Sequence, residues 1–277
     1  MPELVDLHIH TNHSDGLQTP EDVINSGMRL GLKAISITDH DVVSGVIEAA
    51  SYAEGKDIEV VSGIELSVSK AKDDIHLLGY FIDTLHEELV ETLERFRRIR
   101  QERGRKMVER LAAIGVNIDY SKILASAGKA AIGRPHLAEA LLNGGYVSNY
   151  NESFRKYLGL HGPVYVPKAK ISPAEAISLL HRAGGIAVMA HPGLTNEDNM
   201  IEEMAAAGLD GIEIFHPTHN GTDRKRYRRL AEKLGLVCTG GSDSHNRKGR
   251  YGDIGDQKVP ADYLAMMKNA WHERQKH

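Results

Sequence analysis

Eleven residues near the start of the chain, DLHIHTNHSDG (6–16), hold three histidines and two aspartates. Imidazoles and carboxylates are the side chains that exchange protons near neutral pH and ligate borderline divalent cations. The same two types recur singly further along: His40 in TDHD, Glu65 in GIE, His76 in IHLLGY, His191 in AHP, His216 in EIFHP, and Asp243 with His245 in GSDSH. Nine of them, namely His8, His10, Asp15, His40, Glu65, His76, His191, Asp243 and His245, are too many ligands for one ion. About three protein ligands per ion is the catalytic pattern, with positions left open for water and substrate. Three divalent ions with about three protein ligands each would account for them, and a donor set almost free of thiol suits Mn, Fe or Zn.

The elements that must position these residues are legible. Short apolar runs read as strands at 4–11, 34–40, 58–68, 75–82, 185–192, 211–217 and 236–243. Helices between them carry start signals, Thr19-Pro20 and Ser172-Pro173, and stop signals at Gly31 and Gly184. Such alternation predicts a mainly parallel sheet with right-handed crossovers. Nearly every strand ends in a histidine or carboxylate, and in a parallel barrel those ends share one face. His76 is the exception, lying near the start of its run. Residues two apart on a strand share a face, so His8 and His10 point to one place.

From 84 to 167 the rhythm changes to helices: a long one from His86 to Gly115, then DYSKILASAG, GRPHLAEALLNGG and NESFRKYLGL. The remaining residues suffice for six or seven βα units rather than eight. The expectation is a distorted seven-stranded α/β barrel from 1–83 and 168–277, with 84–167 a helical insertion that caps the substrate.

A formal charge of -4 over 277 residues argues against non-specific coating of nucleic acid, so no stable duplex complex is expected. A single cysteine, Cys238, excludes an intramolecular disulfide and suits a reducing compartment. The start of the chain lacks signal-peptide character and no run approaches a membrane span, so a cytoplasmic protein without membrane attachment is expected.

Taken in order, HIH with Asp15, TDHD, GIE, IHLLGY, AHP and GSDSH resemble the PHP (polymerase and histidinol phosphatase) family over residues 8–245. Within it the chain is similar to bacterial metal-dependent phosphoesterases with a helical insertion, which include nucleoside 3',5'-bisphosphate phosphatases and a 5'-to-3' exoribonuclease. The resemblance implies a seven-stranded barrel and a trinuclear centre. By that pattern His8, His10, Glu65 and Asp243 hold one ion, Glu65, His76 and His191 a second, and Asp15, His40 and His245 a third.

The chemistry expected of such a centre is hydrolysis of nucleotide or short-oligonucleotide phosphates by hydroxide bridging the metals. Arg134 and His136, in GRPH at a helix N-terminus, are the substrate-binding candidates, and the family pattern favours Arg134. His216 is a further candidate, as phosphate ligand or as the acid for the leaving oxygen. Histidinol-phosphate phosphatase, a non-catalytic PHP module and an amidohydrolase are the competing readings.

Other residues receive plainer readings. His13 is expected to be an exposed loop residue, Asp39 to orient a ligand or cap locally, and Asp41 to be the N-cap of the next helix. The stretch 95–110 has eight basic and two acidic residues. It reads as a solvated helix face with Leu89, Leu93, Phe96, Met107 and Leu111 turned inward, rather than as a track for RNA. Cys238 reads as a small packing residue, and the glycines of TGGSDSH as room for close approach to the centre.

Overall fold

The computed structural model describes residues 3–70, 73–127, 132–167, 171–195, 197–246 and 252–276. It opens with β1 (Leu4–Ile9), α1 (Pro20–Arg29), β2 (Ala34–Ile37), α2 (Ser44–Ala53), β3 (Glu59–Lys70) and β4 (Asp73–Tyr80). The helical stretch follows as α3 (Glu87–Ala113), α4 (Tyr120–Ala127), α5 (Arg134–Asn143) and α6 (Tyr150–Ser153), the last running into a π-turn at Phe154–Leu158. The rest is α7 (Pro173–Arg182), β5 (Ile186–Met189), α8 (Asp198–Ala206), β6 (Gly211–Phe215), α9 (Gly221–Leu234), β7 (Val237–Gly240), β8 (Val259–Pro260) and α10 (Ala261–Arg274). Thr19 and Ser172 cap α1 and α7 as read from their Thr-Pro and Ser-Pro pairs, each in a reciprocal capping box. No described helix is long and apolar enough to cross a membrane.

The strands form one sheet in the order β7-β6-β5-β4-β3-β2-β1-β8. Beyond β7 the chain bonds back to the end of β1, with Asp243 N donating to His8 O at 2.8 Å and His10 N to Ser244 O at 2.9 Å. The sheet thereby curls into a nearly closed barrel. Two features correct the expected parallel, seven-stranded arrangement. The two-residue β8, which is too short to show a period, pairs antiparallel with β1 as an eighth strand. β4 is antiparallel to both β3 and β5. The few residues between β3 and β4 allow only a hairpin, because a parallel crossover needs a dozen or more.

The reversal of β4 accounts for His76. At the start of a strand that runs backwards, it lies at the same end of the barrel as the C-terminal ends of the parallel strands, with Ser67 of β3 as its cross-strand partner.

A bulge in β1 is equally consequential. Val5 partners Ala34 and Asp6 partners Ile35, but Ile9 partners Ile37, so β1 spends one residue more than β2 over that interval. Val5 and Leu7 pack with Ala34, Val61, Leu78 and Val188 in an inner cluster closed from below by Leu264 and Met267 of α10. Ile9 instead joins Ile35, Ile37 and the helix-facing core. The bulge changes the parity of the strand and turns His8 and His10 inward. Residues of 107–164, among them Met107, Leu111, Leu137, Leu141 and Leu158, form an apolar cluster of their own.

Candidate metal centre

Imidazoles and carboxylates from distant parts of the chain meet at one end of the barrel. His10 Nε2 lies 3.2 Å from His8 Nε2, 3.1 Å from Glu65 Oε2 and 3.0 Å from Asp243 Oδ1. The other Glu65 oxygen, Oε1, is 2.8 Å from His76 Nδ1 and 3.0 Å from His191 Nε2. Asp15 Oδ1 is 3.1 Å from His245 Nε2 and 4.0 Å from His40 Nε2. His40 Nδ1 approaches Glu65 Oε2 at 3.0 Å, so Glu65 stands at the middle of the whole assembly. All nine sequence candidates therefore meet in one cluster.

The donor atoms suit divalent cations. Three sets, His10/Asp15/His40/His245, His8/His10/Asp243 and His40/Glu65/His76, each have one atom per residue within 4.8 Å of the others. His10 Nδ1 is buried and makes no hydrogen bond among the described residues, with Asp15 Oδ1 4.0 Å away, an expensive state for a polar atom without a cation to share. Burial alone would raise the Glu65 carboxyl, yet the imidazoles around it, His76 and His8 among them, hold it well below the usual carboxylate range. Asp243 is likewise held low against its burial, chiefly by His8 and His10. Burial pulls His10 down, but Asp243 and Glu65 outweigh it and carry the imidazole up to about 10.

Residues behind the donors hold them in place. Glu213, fully buried on β6, accepts from His8 Nδ1 at 3.0 Å and from the His191 backbone N–H at 2.8 Å. The sequence reading passed over it; its one signal is a lone carboxylate inside the apolar strand GIEIF. Asp39 accepts from Thr11 N and Thr11 Oγ1 at 2.7 and 2.6 Å and so fixes the loop that carries Asp15. His191 and Asp243 adopt φ of 29° and 48°, a conformation that costs non-glycine residues about 1–3 kcal/mol and persists where the surroundings enforce it. A Cβ at Gly241 would collide with the backbone and Cβ of His8, so the glycine there does permit close approach.

Two of the plainer readings need correction. His13 is buried at 4% exposure, its Nδ1 2.7 Å from Ser44 Oγ and its Nε2 3.3 Å from Glu48, because the loop folds back onto α2. Asp41 is not a helix cap, since Val43 occupies that position; its carboxylate accepts from Ser67 N at 2.7 Å and pairs with Arg100. His216 is fully buried, with Nε2 3.2 Å from Asp243 Oδ2 and Nδ1 2.8 Å from Thr218 Oγ1. It stands behind Asp243 and does not itself line the cleft over the centre.

Over the centre opens a cleft of about 1190 Å³ walled by the helical stretch, with Asp15, His40, His76 and His191 on its floor. Arg134, at the first turn of α5, and His136 line it, as does Arg100 together with Arg103. The Arg134 guanidinium lies 5.9 Å from the Phe154 ring, and His136 Nδ1 accepts from Gly133 N. Leu89, Leu93, Phe96, Met107 and Leu111 do pack inward on α3. Arg100 and Arg103 depart from the solvated face: Arg103 is 7% exposed and donates to Val166 O at 2.6 Å, and Arg100 reaches Asp41 and Ser67 Oγ. Both stand on the same helical face as Phe96 and Met107, at spacings that betray them in retrospect. Cys238 on β7 is partly buried, and burial pushes its thiol up to about 11, away from nucleophilic chemistry.

A barrel with a multi-donor centre at the strand ends is the architecture of one class, and the model of the PHP domain matches residues 6–166, more than half of the chain. The protein belongs to the PHP family. It is 34% identical over 247 residues to a 3',5'-nucleoside bisphosphate phosphatase of Chromobacterium violaceum, spanning 87% of each chain. It is 32% identical over 265 residues to a phosphoribosyl 1,2-cyclic phosphate 1,2-diphosphodiesterase of Eggerthella lenta, spanning 92% of this chain and 99% of that one. A 5'-3' exoribonuclease of Haemophilus influenzae is 30% identical over 250 residues, with 88% and 91% covered. A solved structure described as a metal-dependent phosphoesterase, from Bifidobacterium adolescentis, superposes with a TM-score of 0.88 at 30% identity over 98% of both chains. All of these relatives cleave or are described as cleaving phosphate esters, and the present chain is a phosphoesterase.

Proposed function

We propose that the protein hydrolyses phosphate esters of nucleotides, either nucleoside 3',5'-bisphosphates or short RNA carrying a 5'-phosphate. The observation that carries this reading is the facing of two unlike surfaces: the donor centre, which presents Asp15, His40, His76 and His191 to the cleft, and Arg100, Arg103 and Arg134, which line it from the helical stretch.

His8, His10, Glu65 and Asp243 would hold one ion, Glu65, His76 and His191 a second, and Asp15, His40 and His245 a third, Mn being the first candidate. Bound divalent ions supply Lewis acidity towards the phosphate and water of lowered pKa at neutral pH. The chain's own residues do the rest. Arg134 offers a bidentate guanidinium to phosphoryl oxygens, and the N-terminus of α5 beside it favours the same negative charge. Glu213 holds His8 in one tautomer and the His191 backbone in its strained turn, so both imidazoles keep their direction. Walls of Phe154, Tyr150 and Met189 exclude water from one side of the cleft and strengthen these electrostatic contacts.

Elemental analysis of purified protein, followed by release of inorganic phosphate or mononucleotide with Mn, tests this reading. Adenosine 3',5'-bisphosphate and a 5'-phosphorylated RNA pentamer are the expected substrates, with histidinol phosphate as comparison. Turnover of histidinol phosphate in preference to both nucleotides would overturn it, as would metal-loaded protein that hydrolyses none of the three.

A further inference from the structure

The main cleft does not end at the donor centre. A second hollow of about 580 Å³ adjoins it, and Ser14, Asp15, Leu17, His136 and Glu139 line both. The two differ in chemistry. The first carries the arginines. The second carries Lys122 against Asp119 and Glu139, and no arginine among the described residues, so it offers a phosphate little. Its wall instead presents three amides, Asn12, Asn117 and Asn143. Side-chain amides pair with the donor and acceptor edges of nucleobases. On the ridge between the hollows sits Leu17, 53% exposed, a large apolar side chain turned outwards at the rim of a charged site. Apolar faces of that kind receive the flat face of a base.

Resting on the phosphoesterase reading above, we propose that this hollow is a nucleoside subsite for the residue that follows the one at the centre. The favoured substrate is then an oligonucleotide of at least two residues. Its 5'-terminal phosphate lies among the arginines, and the base of the next nucleotide lies past Leu17 against the asparagines. The dimensions agree, since the main cleft alone already exceeds what a drug-sized ligand occupies, and a mononucleotide would leave the second hollow vacant. Asp15 forms part of the wall between the two, so a phosphodiester bridging them passes over the donor centre.

Binding separates this from the general reading. Calorimetric titration of the metal-free protein with adenosine 5'-monophosphate and with the 5'-phosphorylated dinucleotide pApA compares one nucleoside with two. The dinucleotide is expected to bind about tenfold more tightly, the measure of one added base contact. Asn117→Ala and Asn143→Ala, both at exposed positions that line only the second hollow, are expected to erase that advantage while leaving the mononucleotide affinity within about threefold. With Mn, the same variants are expected to raise KM for the dinucleotide and leave adenosine 3',5'-bisphosphate turnover unchanged. Equal affinity of the two ligands for the unsubstituted protein would overturn the subsite, as would variants that weaken both ligands alike. Binding of neither ligand would likewise overturn the subsite, whereas failure of the Mn-loaded protein to hydrolyse either the dinucleotide or adenosine 3',5'-bisphosphate would overturn the nucleotide reading on which it rests.

Discussion

Replacing Glu213 by glutamine tests whether a residue that touches no solvent controls the metal centre. The carboxylate is fully buried, with Oε1 3.0 Å from His8 Nδ1 and Oε2 2.8 Å from His191 N. An ionised carboxylate only accepts, so His8 Nδ1 carries a proton towards it, and Glu213 faces two donors at once. Glutamine keeps the shape but has one acceptor oxygen. Whichever way its amide turns, an NH₂ group confronts one of the donors, and a buried donor left unsatisfied costs about 1–3 kcal/mol. If the His191 side is lost, the backbone at φ 29° is free to relax and the imidazole leaves its place. If the His8 side is lost, the competing tautomer gains. At 1.4 kcal/mol per factor of ten, the cost corresponds to roughly 5- to 150-fold. That range brackets the 10- to 100-fold typical of removing a group that orients a metal ligand. Competition with a chromogenic chelator measures the Mn affinity of Glu213→Gln against unsubstituted protein, with circular dichroism to show that the fold is kept. An affinity within twofold of the unsubstituted protein, in a folded variant, would refute the reasoning.

Arg134→Ala is expected to keep its metal and lose substrate, with KM raised about 10- to 100-fold for loss of a charge-assisted contact, whereas His191→Ala loses metal; elemental analysis beside steady-state kinetics distinguishes them. Arg100→Ala strips the cation from Asp41, whose side chain is 2% exposed, and is expected to cost about 3 kcal/mol. Calorimetry should show a fall in Tm of about 6–12 °C for a chain of this size, partly restored in the Arg100→Ala, Asp41→Asn double variant. With its thiol raised to about 11, Cys238 is about one part in a thousand thiolate at pH 8, against about a quarter for an ordinary thiol. Its reaction with iodoacetamide should be slow in the folded protein, rise with pH beyond 10, and become fast in denaturant.

Much of the centre was legible because its signals are local. Residue type names the possible ligands, and strand periodicity puts His40, His191 and Asp243 at or beyond strand ends. The helix caps at Thr19 and Ser172 were readable for the same reason, since a cap is decided within four residues. His13 and Asp41 were misjudged where the decision is not local. The first is buried by a loop folding onto α2, and the second is claimed by an arginine on a helix far along the chain. Arg100 and Arg103 lay between these cases: their alignment with Phe96 and Met107 on α3 was visible, but not that the stripe faces a cleft.

The amino-acid sequence by itself therefore determined the chemistry available, a set of imidazoles and carboxylates at the tips of short apolar strands, with arginines at the edge of a helical stretch. Only the tertiary structure decided which of them converge. Simple alternation from Val5 would have sent His8 outwards, and the extra residue in β1, measured against β2, turns it in. His76 reaches the centre because β4 runs against its neighbours, and His216 is withdrawn because Asp243 comes round to cover it. Register, strand direction and coverage are properties of pairs of segments, set by backbone hydrogen bonds between residues far apart in the chain, and no window of neighbouring residues contains them.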